Sequence, residues 1–218
     1  MAKLFEFGET LPEYSVPVLN EREVRAGAGI MFVVAMIAFF QAFQMGDFTL
    51  MRLVVLAFLM EFTIRVLVNP RYAPALVLGR LMVRNQEPEY SGAPQKRFAW
   101  ALGLGLAIAV SIMVFGFNMV GPAVFAACII CLSLLFMETA FGICVGCKMY
   151  NMAFPGQAKL CPGGACSLQF RNPSTEVSKG NLAVTFAVLA LVALAAPIVA
   201  QMEQPEGGLS FLTSANMR

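Results

Sequence analysis

The chain has 218 residues, 59% of them apolar types and only 13% charged, with a formal net charge of +2. An ordinary soluble domain is about a quarter charged, so this composition cannot build a water-facing surface, and it fits neither a disordered chain, a collagen-like repeat nor a disulfide-rich secreted mini-protein. The small net charge gives no footprint for nucleic acid. The absence of histidine removes His-based acid–base, nucleophilic and haem chemistry. What remains is an all-α polytopic transmembrane helix bundle.

Five stretches reach the roughly 20 apolar residues that a membrane crossing needs: Ala26–Phe43, Phe48–Val68, Phe98–Asn118, Val120–Ile143 and Leu182–Met202. Residues 1–25 carry Glu6, Glu9, Glu13, Glu21 and Glu23 and lack the basic start of a signal peptide, so a cytoplasmic, disordered tail is expected there. The four-helix unit is expected over residues 26–151, a Cys/Pro/Gly loop over 152–181, and the fifth span with an outer tail over 182–218. Asn69–Arg97 and Gly146–Asn181, rich in Pro, Gly and polar residues, read as cytoplasmic loops. Trp100 and the tyrosines near span ends read as interface anchors.

The basic residues orient the spans. Twelve of them, from Lys3, Arg22 and Arg25 through Arg71, Arg80, Arg84, Lys96, Arg97 and Lys148 to Lys159, Arg171 and Lys179, fall on one side, against Arg52 and Arg218 on the other. That asymmetry predicts a cytoplasmic N-terminus and an outer C-terminus, in a multi-pass protein of the bacterial inner (plasma) membrane, surrounded by the lipid bilayer.

Ionisable residues within spans are expensive and need partners. Glu61 and Arg65 are four apart and can pair along one helix face. Arg65 lies about 26 Å from the start of its span and Glu138 about 27 Å from the start of its own, both helices running inward. The expectation is a Glu61–Arg65–Glu138 cluster near the cytoplasmic end that fixes helix packing.

Six cysteines form three pairs: Cys128/Cys131, Cys144/Cys147 and Cys161/Cys166. The first pair, three apart within span four, behaves as small apolar packing residues. Cys144-Val-Gly-Cys147 is a C-x-x-C, able to close a disulfide, bind a soft metal or carry a sulfane sulfur. Its expected position at the C-terminal end of span four is unfavourable, because the helix dipole there opposes a thiolate. With Cys161 and Cys166 it gives C-x2-C-x13-C-x4-C, a spacing at which four thiols would hold zinc or an iron–sulfur centre. A second redox pair exchanging with the first competes with that.

Several of these segments, taken together, resemble a known family. They are Glu61-Phe62-x-x-Arg65, Asn69-Pro70-Arg71-Tyr72-Ala73-Pro74, Pro94-x-Lys96-Arg97-Phe98-Ala99 and Glu138-x3-Gly142-x-Cys144-x-Gly146-Cys147-Lys148-x-Tyr150. The resemblance is to the bacterial membrane family called domain of unknown function 4395, over roughly residues 17–151. It implies a four-helix membrane unit ending in the C-x-G-C pair. Some members resemble fusions or neighbours of thioredoxin-like proteins, which implies thiol or sulfur traffic. The Cys161/Cys166 loop and span five are additions to that pattern.

Three functions compete. In the first, Cys144 and Cys147 relay electrons or sulfane sulfur from a thioredoxin-like or sulfur-carrier protein. In the second, the chain is a non-catalytic accessory subunit among other membrane subunits, its cysteines holding a structural metal at most. In the third, a soft metal passes from Cys128/Cys131 to the cytosolic thiols, with no outward-facing cysteine to receive it.

Overall fold

The computed structural model describes residues 7–154 apart from 13, 15 and 120, the backbone of Cys166–Ser167, and residues 177–202. Helix α1 (Glu21–Met45) opens at Asn20, whose side-chain oxygen accepts the Arg22 N–H at 3.2 Å and whose amide donates to Glu23 at 3.1 Å. Glu21 and Glu23 place negative charge on the first turn, where the helix dipole favours it. The helix stops at Gly46, which adopts the left-handed conformation (φ 69°). Asp47 then accepts the Thr49 N–H at 2.9 Å and a Gln41 amide N–H at 3.0 Å, turning the chain into α2 (Thr49–Thr63). A π-helical turn over Ile64–Val68 carries α2 onward, so the apolar rod is twenty residues and about 30 Å long.

Asn69 caps a short 3-10 turn, and Pro74 sits in the first turn of α3 (Pro74–Val83), where its missing N–H costs nothing. Helix α4 (Ala93–Ser111) likewise begins with a proline and ends in a π-helical turn, Ile112–Gly116. It is followed by α5 (Pro122–Phe141), α6 (Val145–Ala153) and α7 (Lys179–Ala200). A small antiparallel sheet joins β1 (Val18–Asn20), β2 (Glu89–Gly92) and β3 (Cys166–Ser167) in that order, with Val18 opposite Gly92 and Tyr90 opposite Cys166.

Small residues set the closest helix crossings. A Cβ on Gly79 would stand 2.7 Å from the Glu23 carbonyl oxygen and 2.8 Å from the Gly27 nitrogen, so α3 lies directly on α1. The Arg80–Glu23 ion pair, at 2.9 Å, locks the same crossing. One apolar cluster gathers Val24, Met31, Phe62, Leu76, Trp100 and Leu135; a second, farther along the bundle, gathers Phe48, Met51, Val55, Val110, Val114 and Phe125.

The protein is mostly helical. Among the described residues four helices, α1, α4 with its π turn, α5 and α7, are long and apolar enough to cross a membrane. Their outer faces carry large exposed apolar side chains, among them Ile37, Ile129, Ile130, Phe186, Leu194 and Ile198, a surface suited to hydrocarbon rather than water.

Three expectations are corrected. The fold is not purely helical, because β1, β2 and β3 form a sheet. The segment before α1 is not a tail up to Arg25: Val18–Asn20 is a strand, and Glu21–Arg25 form the first helical turns. Asn69–Arg97 is not a plain loop, because Pro74 starts a helix rather than breaking one, and the ten residues of α3 are too few to signal a span.

Candidate functional site

Helix α5 ends at Gly142, whose backbone is left-handed (φ 64°) and whose N–H donates to the Glu138 carbonyl at 3.1 Å. A Cβ on Gly142 would run into the Arg25 guanidinium, so only glycine suits this corner. The chain then re-enters helix at Val145, with Cys144 as the N-cap of α6. Its Sγ accepts the Cys147 N–H at 3.3 Å, and the two sulfurs are joined as a disulfide. Both residues are half-buried.

This geometry overturns the expected C-terminal position of the pair. The left-handed Gly142 breaks the helix two residues before the motif, so Cys144 stands at the positive end of a new helix. There the free N–H groups and the dipole favour a thiolate. The glycine of the motif also has a structural reason. A Cβ on Gly146 would lie 2.6 Å from that of Ala99, so the first turn of α6 rests on α4.

The charged residues form two networks instead of one. Arg65 donates to Glu61 at 2.8 Å, and the other Glu61 oxygen accepts the Ala75 N–H at 3.0 Å, at the start of α3. The Arg65 guanidinium also lies over Trp100, 5.1 Å from a ring centroid, and 3.2 Å from Met31 Sδ. Glu138 does not join this group. It pairs with Lys96 at 2.7 Å, and Lys96 also binds Glu21 at 2.9 Å. Helix geometry explains the split: Lys96 enters α4 at the level of the α5 terminus and reaches Glu138 first. Lys96 and Trp100, one turn apart on α4, connect the two networks.

The Lys96–Glu21 pairing is absent from the sequence reading, although Lys96 lies beside the expected start of span three at the same level as Glu138. Trp100, expected as an interface anchor, is buried at 3% exposure against Arg65 and the edge of Phe7.

Between α1, α2, α4, α5 and α6 lies an apolar cavity of ≈ 200 Å³. Cys128 and Cys131 line it from α5, unbonded and half-buried; Cys144 and Gly146 line it at the charged end, together with Glu138 and Trp100. The cavity thus adjoins one face of the disulfide. Cys161 and the Cys166 side chain lie outside the described residues, and so does the four-thiol arrangement built on them. Among the described residues no group of three or more Cys, Asp or Glu side chains gathers as a metal site.

Fold and site together define a polytopic helical protein of membrane-spanning character, with a C-x-x-C disulfide capping a helix beside an interhelical cavity. Residues 19–154 match the family described as Domain of unknown function (DUF4395), and the chain belongs to it. No curated protein and no solved structure matches the chain.

Proposed function

We propose that the protein is a membrane dithiol–disulfide relay whose working pair is Cys144 and Cys147. The observation that carries this is the position of Cys144 as the N-cap of α6. A thiolate there is stabilised by the N-terminal N–H groups, and Cys147 lies within bonding reach to resolve a mixed disulfide.

The pair faces the cytoplasm of a bacterial inner membrane in this reading, and five helices span. The α2 rod, Thr49–Val68, supplies the additional span through its π-helical extension. Arg22, Arg80 and Lys96 meet Glu89, Glu23 and Glu138 at the end of the bundle that holds the disulfide. At the other end, Arg52 binds Asn118 at 2.7 Å. That distribution supports a cytoplasmic disulfide end. A thioredoxin-like protein is the fitting partner, because it would present a dithiol to Cys144.

The test is trapping. Cys147→Ser protein in native membranes, mixed with a thioredoxin-like donor whose single cysteine is carried as its disulfide with thionitrobenzoate, is expected to give a mixed disulfide through Cys144 as thionitrobenzoate leaves. Cys144→Ser, which keeps a capping hydroxyl, is expected to give none. Equal inertness of both variants and of the wild type would leave the cysteines structural.

A further inference from the structure

We infer that the cavity beside the disulfide binds a lipid-soluble quinone, which takes the electrons that Cys144 and Cys147 receive. This deepens the dithiol reading and rests on it. Three observations point to such a ligand.

The first is placement. The cavity is lined by Phe39, Val55, Phe58, Leu106 and Leu135 along its length, and by Cys144 at its charged end. A ligand must therefore be apolar to enter and redox-active to use the wall that a disulfide forms. The second is size and access. A cavity of about 150 Å³ holds a benzene ring, and ≈ 200 Å³ here admits one substituted ring. Leu102, Leu134 and Met149 line the cavity and are also exposed. The mouth therefore opens between α4, α5 and α6 toward the surface that lipid covers, and a long isoprenoid tail can trail through it.

The third is an unmatched donor. The Trp100 indole N–H is buried and has no hydrogen-bond partner among the described residues, and Trp100 lines the cavity. A buried donor left unpaired is costly. A quinone carbonyl supplies the acceptor; a lipid acyl chain does not.

The step balances without a further reactant. The Cys144 thiolate adds to the quinone ring, and the Cys147 thiolate attacks Cys144 Sγ, breaking the ring–sulfur bond and forming the disulfide. Two electrons pass to the ring, which leaves as quinol carrying the two protons released by the thiols. Two thiols and one quinone become one disulfide and one quinol.

Trp100 is the only tryptophan in the chain, so its fluorescence reports binding directly. Full-length protein in lipid nanodiscs is reduced, freed of reductant under argon and mixed with decylubiquinone. The expected result is quenching of Trp100 and loss of two thiols per quinone reduced. Cys144→Ser is expected to keep the quenching and lose the reduction. Ala107→Phe and Ala127→Phe, which fill the cavity from α4 and α5, are expected to retain an alkylatable Cys144 while quinone reduction falls at least tenfold. Thiols that cycle with the protein donor, with neither quenching nor quinone reduction, would overturn the inference and leave the dithiol reading intact. Reduction unchanged in both folded cavity-filling variants would place the quinone elsewhere and overturn it too. Quenching with inert wild-type thiols would remove the electron-transfer step together with the dithiol reading.

Discussion

In the proposed relay Cys144 holds two roles at once, because the atom that caps α6 would also be the atom that reacts. The capping bond from the Cys147 N–H pre-orients the sulfur, and the dipole of a nine-residue helix favours its ionised form. In the reduced protein Cys144 is therefore expected to alkylate faster than Cys147 at pH 7. Iodoacetamide rates on each single-serine variant check this; equal rates would remove the capping argument. Asp47 illustrates the same logic at the other end of the bundle. The Thr49 backbone N–H, first among its partners, holds the Asp47 carboxyl below the usual carboxylate range. Its contribution is present above about pH 4 and is lost as pH falls through the depressed value. Wild type is thus expected to melt above Asp47→Asn at pH 7, and the gap to close as pH drops below about 4.

At the scale of elements, the decisive feature is the break between α5 and α6. Gly142 takes a positive φ and Gly146 lets α6 lie on Ala99. Substituting Gly142 by Ala incurs the left-handed penalty of roughly 1–2 kcal/mol and displaces Arg25. Gly146→Ala forces α6 away from α4, an overpacking cost of about 1–3 kcal/mol. Both variants are expected to melt earlier in detergent, and Gly146→Ala to change the alkylation rate of Cys144 as well, since the cap moves with the helix.

This break also marks the limit of what the chain reveals in one dimension. The long apolar runs and the Glu61–Arg65 pair are legible because hydropathy and i,i+4 spacing are local properties. The α5–α6 corner is not, because Gly142 sits in an unbroken apolar-to-polar transition where a continuing helix and a left-handed stop look alike. The same holds for α3, whose proline reads as a breaker until its position as the first helical residue is known. The β1–β2 pairing joins residues about seventy positions apart, and neither three- to four-residue strand carries enough alternation to announce itself.

For the whole molecule, the question is what holds the helix ends in one register around the site. Hydrophobic burial is weak as a sorting force among helices in lipid, so directional contacts have to specify the arrangement. Lys96, at 2% exposure, ties the first turn of α1 through Glu21 and the last turn of α5 through Glu138 to the first turn of α4. Buried ion pairs of this kind add little net stability against a well-packed apolar replacement, while removing one partner strands the other charge at roughly 3–5 kcal/mol. Lys96→Met should therefore lower the melting temperature sharply, because it leaves the buried Glu21 carboxylate and the half-buried Glu138 carboxylate facing each other. The triple variant Glu21→Gln, Lys96→Met, Glu138→Gln should recover most of that loss, since the one charge it leaves without its partner, Arg25 (3.6 Å from Glu21), is part-exposed to water. If the hub serves register rather than stability, the triple variant will melt near wild type yet have its Cys144–Cys147 disulfide reduced at an altered rate, because α5 and α6 are no longer pinned to α4 at Cys144. A triple variant that melts as early as Lys96→Met would instead show that the network itself contributes the stability, and that its role in positioning the disulfide is secondary.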